Sequence, residues 1–160
     1  MYQTSNDLPL QTRDAMIRLL NARLADAIDL ALQIKQAHWN VKGPNFIALH
    51  ELFDKFHNEV EDHYDTIAER VTALGGIAYG TAQTVAEKST LPGYPTDIAD
   101  GMAHVKALAA SFSTFGTSLR AAIDTADGVG DADTTDLFTS MSRAIDKSLW
   151  FLEAHLQADK

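Results

Sequence analysis

Residues Lys35–Gly76 read KQAHWNVKGPNFIALHELFDKFHNEVEDHYDTIAERVTALGG. The stretch divides at Gly43-Pro44, because a proline bars the residue before it from helical geometry. One helix therefore ends near Trp39, and a second starts behind Asn45, a residue type suited to an N-cap, and runs to Leu74 before Gly75-Gly76. On a helix advancing about 100° per residue, His50, Asp54, Asp65 and Glu69 of that second helix fall at about 0°, 40°, 60° and 100°, one continuous face. Asp54 and Asp65 are eleven residues apart. That is about 16 Å along the axis, whereas metal–ligand bonds are about 2 Å long. One ion cannot touch both ends. A second copy of the helix running antiparallel across the stripe would set His50 and Asp54 of one chain against Asp65 and Glu69 of the other. The pattern points to a metal site at a two-fold dimer interface.

Outward from this stretch the chain keeps a helical period. Met16, Leu20, Leu24, Ile28 and Leu32 recur between about Leu10 and Trp39, as in a long amphipathic helix. The first two helices, each about 30 residues and 45 Å long, form an αα-hairpin. From Ile77 to Pro95 the texture changes to Gly, Thr and Ser with two prolines, too long for an ordinary bundle turn and able to hold a short helix near Thr81–Lys88. A third helix is expected to start at Thr96-Asp97 and end around Asp124–Gly130, in the acidic turn DTADGVGDAD. The fourth runs from near Thr134 to about Leu156, with Leu137, Met141, Ile145, Leu149 and Leu152 on one face, passing through Trp150. Strand-like alternation and internal repeats are absent. The expected fold is all-α: a ferritin-like four-helix bundle whose long crossover carries a short helix between helices two and three, one domain over residues 1–160 with a short extension at 1–9.

Composition narrows the chemistry. The 160 residues suffice for one core without staples. With no cysteine there is neither a disulfide framework nor a thiolate metal site, so imidazole and carboxylate are the strong ligands present, suited to iron, zinc or manganese. The start, MYQTSNDLPLQTRD, lacks a basic and then apolar leader, and no apolar run approaches the roughly 20 residues of a membrane span. A soluble, cytoplasmic protein is expected. Twenty-two acidic against 13 basic side chains give a net charge of −9, which opposes attraction to phosphate backbones and favours cations.

His38 closes the first helix and His50 follows just past the Gly-Pro turn, so the hairpin can bring the two imidazoles together. Asp54 lies one turn beyond. Two histidines and a carboxylate with open positions suit Fe(II). A single histidine here would more often just satisfy hydrogen bonds, and Asp65 with Glu69 alone would be a solvated face. Their alignment on one stripe argues otherwise. Glu61 and His57, at about 20° and −20°, border the stripe, with three readings open: support for the ligands, an extra ligand, or plain surface. His63 points away. Trp39 reads as an apolar wall for the site, while His104 and His155 lack carboxylates at ligand spacing. A di-iron centre inside the bundle would need Glu-x-x-His on two helices. No glutamate stands three residues before any histidine, which disfavours an intrachain centre.

These residues carry a resemblance. The segment KQAHWNVKGPNFIALHELFD, the D-x-x-A-E-R at Asp65–Arg70, the YPTDI at Tyr94–Ile98 and the RAIDKSLWFLE at Arg143–Glu153 resemble the Dps family, the miniferritins named as DNA-binding proteins from starved cells. The resemblance covers nearly the whole chain. It implies a hollow dodecamer with ferroxidase centres shared between two-fold-related chains, His38, His50 and Asp54 coming from one and Asp65 and Glu69 from the other. It implies oxidation of Fe(II), preferably by hydrogen peroxide, with ferric oxyhydroxide stored inside, and zinc or another divalent ion able to substitute at the site. Twelve chains at −9 would carry −108. Asp131, Asp133 and Asp136 are candidates for a cation pore, or else a solvated turn. The departure concerns DNA: the family's DNA binders commonly use a mobile basic tail, whereas here the first basic residue is Arg13 and the end is Asp159-Lys160. DNA binding is therefore not expected.

Overall fold

Five helices account for most of the chain in the structure, a computed structural model that describes residues 1–157. They are α1 (Leu10–Asn40), α2 (Phe46–Ala73), α3 (Ala82–Lys88), α4 (Gly101–Gly128) and α5 (Ala132–Leu156). Helix α1 packs along α2 and α4 along α5, the two hairpins meet through α1 against α4 and α2 against α5, and α3 lies on α1. The result is an all-α four-helix bundle with a long crossover. Its centre holds Phe53 and Phe56 of α2, Phe112 and Phe115 of α4, Phe138 of α5, and Met16, Leu20 and Leu24 of α1, all buried. Among the described residues no helix is long and apolar enough to cross a membrane.

The expected core stripe of α1 is right at its start and wrong at its end. Met16, Leu20 and Leu24 are buried, but Ile28 is half-buried and Leu32 is 56% exposed. A stride of four residues advances about 400°, so each step drifts 40° and Leu32 stands about 160° from Met16. The core is taken over by Leu30 and Ile34, and Leu32 is left on an outer face.

Helix α4 starts later than expected, at Gly101 rather than Thr96-Asp97. Asp100 is the cap, its carboxylate accepting from the amides of Met102 and Ala103, each at 3.0 Å. The residues before it are held extended, because the Lys42 amide donates to the Ala99 carbonyl at 2.8 Å in a small parallel bridge. That contact ties the end of the crossover to the α1–α2 turn. It also explains Gly101, where a Cβ would stand 2.6 Å from Leu49 Cδ1. At α5 the cap is Asp131, so the helix begins two residues before Thr134.

The crossover is fastened to α1 by buried polar groups. Asp26, fully buried, accepts from the Thr90 amide at 2.7 Å and from Arg23 Nε at 2.9 Å. Asp29 accepts from Ser89 Oγ at 2.5 Å, and Gln33 donates to the Pro92 carbonyl at 3.1 Å while accepting from Ser111 at 2.6 Å. Each satisfied group avoids the cost of a buried polar atom left without a partner. Residues 1–9 lie against the far end of α2, where the Tyr2 amide donates to the Gly75 carbonyl at 2.7 Å. Gly75 has φ +86° and no room for a Cβ beside Tyr2, so only glycine fits both demands.

Candidate metal centre at the turn between α1 and α2

His38 sits in the last turn of α1 and His50 in the second turn of α2, and the Gly43-Pro44 turn folds one onto the other. Their rings stack with centroids 3.7 Å apart. His38 Nδ1 lies 2.8 Å from the His50 carbonyl oxygen, and His50 Nδ1 lies 2.9 Å from that of His38. A carbonyl oxygen only accepts, so each Nδ1 carries the proton. In the neutral rings both Nε2 atoms then hold an unprotonated lone pair, the form in which imidazole binds a metal. Phe46 packs on His50 at 5.2 Å between ring centroids. The aromatic beside the imidazoles is thus Phe46; Trp39, expected as the wall, is 68% exposed in the single chain.

Asp54, one turn beyond His50, is half-buried and bonded to Lys35 Nζ at 2.5 Å. The hydrogen bond from Lys35 holds its carboxyl below the usual value. Lys35 was not among the expected site residues, although it stands one turn before His38 on α1, a spacing that puts both on one face. Asp65 and Glu69 lie three to four turns further along α2, both exposed. Among the described residues, no group of three or more His, Asp or Glu side chains comes close enough within one chain to hold a metal. Of the five expected residues the chain brings His38 and His50 into contact, while Asp54 faces Lys35 and Asp65 and Glu69 stand apart further along α2.

The neighbouring groups sort differently. Tyr64 donates to Glu61 Oε1 at 3.1 Å. His57 and Tyr64 line a cleft of about 180 Å³ with Ile28, Ala31, Leu32 and Gly80. His63 faces α5, beside Thr66, Asp133, Asp136 and Ser140, and burial pushes its imidazole below the ordinary value. His104 is buried and bonded to the Tyr94 hydroxyl at 2.7 Å, while His155 bonds the Phe151 carbonyl at 2.7 Å. Asp131 does not belong with Asp133 and Asp136 as a pore group. It is 1% exposed, caps α5 and pairs with Arg70 Nη2 at 2.7 Å. Asp159-Lys160 lie outside the described residues.

Comparison with known proteins decides the family. Residues 17–160 match the ferritin-like domain. The chain is 51% identical over 156 residues to the DNA protection during starvation protein of Agrobacterium fabrum, covering 98% of this chain and 96% of that one. This chain is a Dps-family member of the ferritin-like superfamily. Among solved structures, the tetragonal form of Mycobacterium smegmatis Dps superposes with a TM-score of 0.94 at 30% identity, over 99% of this chain and 96% of that chain. Dps from Microbacterium arborescens in its high iron form gives 0.87 at 36% identity, over 92% and 96%. The Dps and ferritin-like family serves iron storage and DNA protection in general. In this Dps-family chain, His38 and His50 pair at the α1–α2 turn and Asp65 and Glu69 stand exposed further along α2.

Proposed function

We propose that this chain oxidises Fe(II), preferably with hydrogen peroxide, at centres shared between two antiparallel copies of α2, and stores the ferric product inside a cage of twelve chains. The observation that carries the reading is the reciprocal bonding of His38 and His50, which presets both Nε2 atoms for a metal. In this reading His38, His50 and Asp54 supply one half of each centre, and Asp65 and Glu69 of a second copy supply the other. Fe(II) is the substrate, and zinc fits the same donors.

The residues perform three tasks. The imidazoles hold Fe(II) without adding charge, and the three carboxylates stabilise the ferric product over the ferrous substrate. Lys35 neutralises Asp54 until a cation takes its place on the carboxylate. Two ferrous ions give two electrons to one peroxide, breaking its O–O bond. With two waters the products are two FeO(OH) and four protons, so no hydroxyl radical is released. An acidic chain suits the import of cations and the loss of protons.

The test is ferrous titration under peroxide with particle mass measured on the same sample. Growth of ferric absorbance at about two irons per peroxide, in a particle of about twelve times 17.5 kDa, supports the reading; absence of peroxide-dependent growth overturns it. Direct DNA binding is not favoured by a net charge of −9. A gel shift at about 0.15 M salt is expected to leave duplex free, and retardation that survives removal of divalent cations would restore the DNA-binding reading.

A further inference from the structure

We infer that His57 and Glu61 form an inter-subunit pair across the two-fold axis, His57 of one chain bonding Glu61 of the partner subunit on either side of it. The inference rests on the shared-centre reading and adds a contact which that reading does not require.

His57 Nδ1 is buried and has no hydrogen-bond partner. The ring lies in the cleft with Ile28, Ala31, Leu32, Tyr64 and Gly80, and none of these side chains except the Tyr64 phenol is polar. That phenol is already committed to Glu61 Oε1 at 3.1 Å. With Nδ1 closed in, Nε2 is the ring atom left for a group outside the chain. His57 and Glu61 are four residues apart on one helix, a spacing at which they could meet. Here Tyr64, not His57, binds Glu61, and Glu61 is exposed with its second carboxylate oxygen left to accept.

The register supplies the rest. Setting His50 opposite Glu69 and Asp54 opposite Asp65 fixes the centre of the antiparallel pair between Glu59 and Val60. His57 then falls within one residue, about 1.5 Å of rise, of Glu61 of the partner subunit. On the wheel the two lie at about −20° and 20°, the same side of the ligand stripe. A two-fold axis perpendicular to antiparallel helices carries one side of a face onto the same side of its mate. Each imidazole N–H therefore meets a carboxylate, and the pair occurs twice, between the two metal centres. Leu32, exposed in the single chain, lines the same cleft as His57.

Cysteine cross-linking tests this cleanly, since the native chain has no cysteine. His57→Cys and Glu61→Cys chains are refolded together, oxidised mildly and run on a non-reducing gel. Asp54→Cys with Asp65→Cys is the control for the shared-centre reading. A cross-linked dimer at least tenfold more abundant from the 57/61 mixture than from either variant alone supports the pair. A dimer from 54/65 without one from 57/61 overturns the pair and leaves the shared centre standing; failure of both overturns the register itself. If the cysteines form the dimer, His57→Gln and Glu61→Gln are compared with the double variant by dimer dissociation. Equal weakening in singles and double, roughly five- to tenfold, is the expected signature of one shared contact. Additive effects would show that the two side chains are neighbours without being partners.

Discussion

His38 and His50 each bond the other's main-chain carbonyl through Nδ1, at 2.8 and 2.9 Å, while their rings stack at 3.7 Å. Neither ring is positioned by a carboxylate; each is oriented by the backbone that carries the other. Loss of either ring removes a stacking wall and frees the carbonyl beside the survivor. His38→Ala and His50→Ala should each lower the initial rate of peroxide-driven iron oxidation about 10- to 100-fold. The double variant should be little slower than the worse single variant. Stopped-flow rates that multiply across the two substitutions would show independent ligands.

Lys35 occupies Asp54 at 2.5 Å, so in the proposed centre a metal would have to displace an ammonium before it gained the carboxylate. Lys35→Ala removes that competitor along with the hydrogen bond that keeps the Asp54 carboxyl below the usual value. At neutral pH the carboxylate stays ionised in either case. Zinc, a redox-silent probe, should bind the variant about 3- to 10-fold more tightly. Calorimetric titration of wild type and variant checks it, and weaker binding to the variant would mean that Lys35 supports the centre.

Much of the fold was legible because helix period and turn chemistry are local. Gly43-Pro44 and Gly75-Gly76 mark the ends of α2 to within a residue or two. The start of α4 was not legible, since it depends on Lys42 pairing with Ala99 more than fifty residues away, a contact no window of sequence contains. The exposure of Leu32 was implicit in the 40° drift of a four-residue stride. In the candidate site, the approach of His38 to His50 followed from the hairpin. Lys35 and Phe46 escaped notice because nothing in their spacing separates a site residue from an ordinary helix surface. Asp131 reads like its acidic neighbours in sequence; only packing reveals it as a buried cap bonded to Arg70.

Two histidines link stability to pH. Burial pushes the imidazoles of His63 and His104 below their ordinary value, partly offset by Glu59 and Asp62 at His63 and by Asp100 at His104. Well above pH 6.5, the ordinary value, folded and unfolded chains hold these rings equally neutral. As pH falls below that value the unfolded chain takes up protons that the folded one resists, so the folded state loses stability. Thermal midpoints should drop by roughly a few degrees between pH 7.5 and 5.5, and the drop should be smaller in His63→Gln. An equal or larger drop in the variant would remove His63 from the linkage.

The proposed division of the centre between chains can be tested by mixing two impaired variants. His50→Ala and Asp65→Ala should each lower the initial rate of peroxide-driven oxidation about 10- to 100-fold when every chain carries the same lesion. In a two-fold pair made of one chain of each kind, both lesions fall in the same centre, and the other centre is wholly native. Random co-assembly makes about half the pairs mixed, and each mixed pair regains one of its two centres, so about a quarter of all centres recover. A centre built within one chain recovers none, because every chain is damaged. Refolding the variants together, verifying mixed cages by native mass and measuring the initial rate separates the two arrangements. Recovery near a quarter of the wild-type rate is expected; recovery near zero in cages shown to be mixed would overturn the shared centre.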